Sequence, residues 1–286
     1  FLHLFPKLAI ILNIDADHLD FFKDLQDIRN SFRKFAELLP EDGVLVINQQ
    51  IPNVEEITDG LACKVVTFGT DPSADYSAAN IAHDEVGDSS FDVMHDGQKM
   101  GRMALSVTGE HNVLNALSAI AAADILGIPF VSVQKGLKEF RGTNRRFEYK
   151  GTKNGFTIID DYAHHPTAIR YVIEATRVRY PGKKIVAIFQ PDRFSRGARF
   201  AKEFAQEMDK ADYPYFCPFP ENAKHEDGID IDIYDISKNS ARAKVITEDE
   251  AGVKELMQYD NCVFLFMSSK DIYKFEEMLI EAKKSI

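Results

Sequence analysis

The sequence has 286 residues, 45% apolar and 28% charged, with a formal net charge of −11. That length suits two domains or one large one, and the composition is that of a globular chain. The acidity argues against a general nucleic-acid binder or a membrane-surface protein, and no apolar run approaches the ~20 residues that a membrane span needs.

Cys63, Cys217 and Cys262 are far apart in sequence and offer no paired metal spacing, so reduced, buried thiols and a cytoplasmic location are expected. The first twenty residues lack a basic start and carry acids, unlike a signal peptide. The chain opens on Phe1 and enters an apolar run almost at once, which leads to the expectation that a segment precedes it.

Strands and helices then alternate. "LAIILNI" (8–14), "GVLVIN" (43–48) and "CKVVTFG" (63–69) read as buried strands, and Ile28, Phe32, Phe35, Ala36 and Leu39 fall on one helical face. Near-continuous apolar strands between helices indicate a mostly parallel sheet covered on both faces. Residues 75–107 read as shorter, half-exposed strands, with Asp96-Gly97 as a hairpin turn. A strong helix is expected over 112–126, stopped by Gly127, and a shorter one over 131–140. The pattern restarts near Gly142. A hairpin around Asn154-Gly155 is followed by a helix over 166–180, a strand "KKIVAIF", a helix over 199–211, strands "YPYFCPF" and "AKVIT", a helix over 248–258, a strand "CVFLFM" and a last helix. This reads as a second, doubly wound α/β unit, with the boundary near residues 141–144.

Ligands of open α/β sheets sit beyond the carboxyl ends of strands, and several polar clusters are placed there or at a helix entrance. "NIDADHLD" offers Asp15, Asp17, His18 and Asp20. Such oxygens with one imidazole suit Mg²⁺, but aspartates also cap a helix, and Asp17 and Asp20 read as cap or solvent residues. His111, Asn112 and Asn115 stand at a helix entrance, where amides can read a base edge or simply cap. Arg145 and Arg146, if in a strand, point to opposite faces, one toward a phosphate and one toward solvent. "DDYAHHP" places residues 160–165 in a strand-to-helix loop before Pro166; Asp161 is expected to orient His164. Arg193 and Arg196 in "FQPDRFSRG" suit a carboxylate or pyrophosphate, with Asp192 partly offsetting their field. No glycine-rich phosphate loop is present. These residues alone support a two-domain α/β protein with a site for an anionic ligand and do not name a reaction.

In order and spacing, "NIDADHLDFF", "GEHNVLNALSAIAAADILGI", "GTNRRFEYKG", "IIDDYAHHPTAI" and "FQPDRFSRGARF" resemble the Mur ligases. The resemblance runs to about Ala211 and weakens beyond. It implies the second part of a central ATP-binding domain over 1–142 and a Rossmann-like C-terminal ligase domain over 143–286. An N-terminal domain and a P-loop are expected upstream to complete the site. The implied reaction is ATP-dependent and ADP-forming, in peptidoglycan precursor synthesis. The lactyl carboxylate of UDP-N-acetylmuramate becomes an acyl phosphate, which the amine of L-alanine attacks.

Carried over by motif, His18 is implied as a ligand of Mg²⁺, with His111, Asn112 and Asn115 at the adenine. Arg146, rather than Arg145, is implied at an ATP phosphate, and Asp160 or Asp161 at the ribose or incoming amine. Tyr162, His164, His165, Arg193 and Arg196 are implied at the muramyl substrate, with His164, Arg193 and Arg196 catalytic. Asp192 departs from the histidine usual in QPHRxSR and is expected to weaken anion binding; "MSSKDI" (267–272) departs from GAGDI, and the family's IYPAGE is absent after Phe219. The isolated chain is expected to be inactive. A tripeptide-adding recycling ligase and a non-catalytic binding remnant are the alternatives.

Overall fold

Apolar runs that are buried on both faces must pair with neighbours inside a covered sheet, and both halves of the chain do this. The computed structural model describes residues 2–19, 21–84, 87–153, 155–223 and 228–284; Asp20 and Asn154 lie outside the described residues. The chain divides into two compact units, Phe1–Arg141 and Gly142–Ile286.

The first unit contains β1 (Leu8–Ile11), α1 (Leu25–Ala36), β2 (Val44–Asn48), α2 (Glu55–Thr58), β3 (Lys64–Gly69), β4 (Tyr76–His83), β5 (Asp88–His95), β6 (Gln98–Thr108), α3 (Glu110–Ile125) and α4 (Phe130–Glu139). Its sheet has the order β1-β2-β3-β4-β5-β6. The pairs from β1 to β4 are parallel, and β4, β5 and β6 form an antiparallel meander. Ala36, Leu39 and Ile57 cover one face against Ile11, Leu45 and Ile47. Val113, Leu117 and Ile120 of α3 cover the other against Val46, Phe68 and Phe91. Asp96 and Gly97 turn β5 into β6 with φ of 48° and 74°, the left-handed pair that matches strand twist.

The second unit contains β7 (Glu148–Lys153), β8 (Phe156–Asp161), α5 (Pro166–Arg179), β9 (Lys184–Phe189), α6 (Phe194–Arg199), α7 (Ala201–Met208), β10 (Tyr213–Phe216), α8 (Ile233–Ser237), β11 (Lys244–Val245), α9 (Glu250–Leu256), β12 (Cys262–Met267) and α10 (Tyr273–Lys284). The strand order is β11-β10-β9-β12-β8-β7, parallel throughout except for the β7–β8 hairpin. Helices α5, α7 and α8 pack on one face through Ile173, Phe204 and Ile236. Helices α9 and α10 pack on the other through Leu256, Phe275 and Leu279. Because β12 lies between β8 and β9 while its own connection leaves to the opposite face, the carboxyl ends of these three strands form the topological switch point, where doubly wound sheets bind ligands.

Several expectations are corrected. β1 ends at Ile11, short of Ile14. The strands after residue 75 are not short: they span 8, 8 and 11 residues. The helix expected over 199–211 is two helices that meet at Phe200, whose N–H still bonds the Arg196 carbonyl. Helix α8, capped by Asp232, had no apolar repeat long enough to reveal it. Among the described residues no helix is long and apolar enough to cross a membrane, and the three cysteines are free and buried.

Close packing around α9 gives a direct test of this architecture. A Cβ on Gly252 would sit 1.9 Å from the Thr247 carbonyl oxygen and 2.9 Å from the Phe275 ring. Gly252→Ala is therefore expected to lower unfolding free energy in urea by at least about 2 kcal/mol, while Gly136→Ala, which meets nothing within 4 Å, should not destabilise.

Candidate active site

In the first unit the chain leaves β1 into a run of turns. The Asp17 N–H bonds the Asp15 carbonyl at 2.9 Å, and the Phe21 and Phe22 N–H groups bond the His18 carbonyl at 2.9 Å each. His18 adopts a left-handed φ of 53°, is exposed, and has Asp17 as an acidic neighbour at 3.8 Å. The cap of α1 is Asp24, which accepts the Asp27 N–H, so Asp15 and Asp17 do not cap that helix. Among the described residues no group of three or more His, Cys, Asp or Glu is placed to hold a metal. The donor set therefore fits Mg²⁺ only as one shared mainly with phosphate and substrate oxygens, which is how Mg²⁺ is commonly held.

Helix α3 starts at Glu110 behind Gly109, whose φ of 105° only glycine takes readily. Asn112 donates to the Thr108 carbonyl at 2.8 Å and accepts from Asn115 at 3.3 Å. The two amides thus share one face, with Asn115 the exposed member. Burial lowers the pKa of His111, which keeps its imidazole neutral.

In the second unit the site is built on the carboxyl ends of β8, β9 and β12. Asp160 and Asp161 are the last residues of β8, not loop residues, because β12 pairs with them through Phe266 and Met267. Asp160 is fully buried. Its Oδ2 accepts from Arg145 Nε at 3.0 Å, while Oδ1 has no hydrogen-bond partner among the described residues. Burial raises its pKa, and the charge of Arg145 opposes that rise. Asp161 is pushed up to about 6, chiefly by burial. It accepts from the Phe147 and Ala163 N–H groups at 2.7 Å each. Each of its oxygens thus accepts from backbone. His164 places Nδ1 2.8 Å from the Tyr162 carbonyl, which puts the ring proton on Nδ1 when the imidazole is neutral.

Arg145 and Arg146 are not in a strand; they precede β7, and Arg145 is left-handed with a φ of 57°. Arg145 also donates to the Ser268 carbonyl at 2.8 Å, so it is the structural member of the pair. The Arg145 and Arg146 guanidiniums lie 5.5 and 5.0 Å from the Tyr162 ring centroid, and the His164 ring meets that ring edge-on at 5.3 Å. His165 caps α5, its Nδ1 accepting from the Thr167 N–H at 3.4 Å. Arg193 is the residue before α6, and Arg196 within it is buried against Asp192 at 2.7 Å. The structure thus brings Arg146, Tyr162 and His164 together around one aromatic ring and gives Asp160, Asp161, His165 and Arg196 contacts to other parts of the protein.

Sequence reasoning missed a buried acid beneath this corner. Glu276 of α10 is fully buried, neither oxygen has a hydrogen-bond partner, and Lys150 Nζ is 4.0 Å away. Burial and the charge of Asp160 push its pKa up to about 7. Nothing in "KFEEML" separates Glu276 from Glu277; only the register of α10 on the sheet does. A carboxyl whose folded pKa lies above its ordinary value holds its proton more tightly when folded. Stability is then full in acid, falls as pH rises from the ordinary glutamate range to about 7, and levels off above. Glu276→Gln is expected to flatten that fall and to exceed the wild type at pH 8 by about 2 kcal/mol in urea unfolding. Parallel pH profiles would contradict this.

The family model described as "Mur ligase middle domain" matches residues 2–123, and "Mur ligase, glutamate ligase domain" matches residues 145–269. A UDP-N-acetylmuramate–L-alanine ligase of Lachnospira eligens is 40% identical over 98% of this chain and 62% of its own length. One of Clostridium acetobutylicum is 39% identical with the same coverage. The chain therefore spans about 62% of the length of the curated relatives it matches. Among solved structures, a UDP-N-acetylmuramate-alanine ligase from Thermotoga maritima superposes with a TM-score of 0.76 at 28% identity, covering 99% of this chain and 61% of that one. A MurF ligase from Thermotoga maritima in complex with ADP shares the fold, with a TM-score of 0.77 at 20% identity over 98% of this chain and 63% of that one. With two family domains in sequence and a switch-point cluster carrying their motifs, this chain belongs to the Mur ligase family.

Proposed function

We propose that this chain forms the middle and C-terminal parts of an ATP-dependent ligase that joins L-alanine to UDP-N-acetylmuramate in cytoplasmic peptidoglycan precursor synthesis. The observation that carries the reading is the 40% identity to an L-alanine ligase across 98% of the chain. The grouping of Arg146, Tyr162 and His164 at the carboxyl end of β8 supports it. A segment like the remainder of the relatives would complete the site and supply the phosphate-binding loop.

In the first unit, His111, Asn112 and Asn115 serve the adenine, and His18 gives one ligand to Mg²⁺, which when bound neutralises phosphate charge. In the second unit, Arg146 serves an ATP phosphate, and Tyr162, His164 and Arg193 line the muramyl substrate. Asp160 and Asp161 act through what they hold, namely Arg145 and the backbone at Phe147 and Ala163. His165 and Arg196 fix the starts of α5 and α6. The lactyl carboxylate takes the γ-phosphoryl group of ATP as ADP leaves, the alanine amine adds to that carbon and gives up a proton, and the tetrahedral intermediate expels phosphate to leave the amide. The arginines and His164 offset the negative charge that builds on the acyl oxygens.

The test is a fusion of this chain behind the N-terminal segment of the Lachnospira eligens relative. Phosphate release is expected only with ATP, Mg²⁺, UDP-N-acetylmuramate and L-alanine together. Release with a preformed tripeptide instead of alanine would mean a recycling ligase, and none with either acceptor, from a folded fusion, would mean a binding remnant. In an active fusion, His164→Ala is expected to lower kcat by about 100-fold.

A further inference from the structure

The carboxylate of Asp192 is where two loops of the second unit meet. The residue follows β9 and is 6% exposed. Its Oδ1 accepts from Arg196 Nη1 at 2.7 Å, and its Oδ2 accepts from the Ser269 hydroxyl, beyond the end of β12, at 2.8 Å. Arg196 is itself only 7% exposed. A guanidinium so far out of water needs a counter-charge close by, and Asp192 supplies it. The same two strand ends are joined by backbone: the Gln190 N–H bonds the Met267 carbonyl at 3.0 Å.

Asp192 and the run 267–272 are two of the places where this sequence departs from the motifs it resembles, and in the fold they touch. A histidine at 192 could not act as counter-ion to Arg196. A residue at 269 without a hydroxyl could not donate to the second carboxylate oxygen. In this chain Ser269 and Arg196 between them satisfy both carboxylate oxygens of Asp192, and the buried arginine has its counter-charge beside it.

We propose that Asp192, clasped by Ser269, is a positioning residue that holds Arg196 and takes up its charge inside the protein, so that Asp192 sets how strongly this corner of the switch point attracts an anion. Arg196 then acts by fixing the start of α6 and not by touching a substrate. The identity of the anion rests on the ligase reading; the clasp itself does not.

The test uses the 286-residue chain and inorganic pyrophosphate as the probe. In wild-type ¹H–¹⁵N spectra, the Arg196 Nε–H signal, assigned by its loss in Arg196→Lys, is expected to be protected from solvent exchange and unmoved by pyrophosphate. Asp192→Asn keeps the shape and removes the counter-charge. Calorimetry should then show pyrophosphate binding tightened by about tenfold, the weight of one charge near a partly screened anion, and adding Arg196→Gln should erase the gain. Ser269→Ala should shift the Arg196 signal and Ser269→Thr restore it, a rescue that a merely structural hydroxyl would not give. Unchanged pyrophosphate affinity in a folded Asp192→Asn variant, or movement of the Arg196 signal by pyrophosphate in the wild type, would overturn the proposal. Should Asp192→Asn fail to fold, the wild-type titration and the Ser269 pair decide. A fusion without alanine-dependent phosphate release would sink the ligase reading and leave these outcomes untouched.

Discussion

A carboxylate removed from water keeps its charge only beside a cation, and the pairing of Asp160 with Arg145 is the constraint on which the second unit's site depends. Asp160 has no exposure at all, and Arg145 reaches it from a backbone conformation that costs a non-glycine residue about 1 kcal/mol. Three contacts hold that conformation. The Glu148 carboxylate accepts the Arg145 N–H at 2.7 Å, Asp160 takes Nε, and the Ser268 carbonyl takes the far guanidinium nitrogen. One residue, through its side chain and its backbone N–H, thereby ties β7, β8 and the end of β12. The Arg145 carbonyl in turn accepts the Tyr162 N–H at 2.7 Å, which fixes the loop that carries Tyr162 and His164.

Around this tie the electrostatics are arranged with little slack. Glu148, Lys150 and Glu276 stand near Asp160, and both Asp160 and Glu276 have raised pKa values because burial disfavours their charged forms. Across β12 a second buried pair, Asp192 with Arg196, does the same for the loop after β9. Beside it Gln190 donates to Glu248 at 2.5 Å, and burial pushes Glu248 up to about 7. At the carboxyl edge of the sheet Arg145 and Arg196 thus have their charges already matched. A ligand there meets a preorganised polar surface with a modest net field, which suits positioning of a reacting carboxylate better than tight storage of a polyanion.

Much of this frame was legible in sequence where local physics decides. Strands buried on both faces announced themselves as apolar runs, Asp96-Gly97 as a turn, Gly127 as a helix stop and Pro166 as a helix start. That polar clusters follow the ends of β8 and β9 was readable for the same reason. What was not readable depends on contacts between distant residues. Arg145 and Arg146 are identical side by side; one became structural because its partner Ser268 lies 123 residues away. Asp160 and Asp161 looked like loop residues because carboxylates rarely complete a buried strand, and only the register with β12 places them there. Asp192 read as a residue that weakens anion binding, but its contacts to Ser269 and Arg196 on its two oxygens were not readable.

The most direct measurement follows oxygen. In a fusion carrying the N-terminal segment of a curated relative, UDP-N-acetylmuramate labelled with ¹⁸O in its lactyl carboxylate would be turned over with ATP and L-alanine, and the released phosphate analysed by mass spectrometry. The account requires one ¹⁸O atom in each phosphate, because the carboxylate oxygen leaves with the phosphoryl group it accepted. Phosphate free of ¹⁸O alongside amide product would contradict the acyl-phosphate route on which the assigned roles rest.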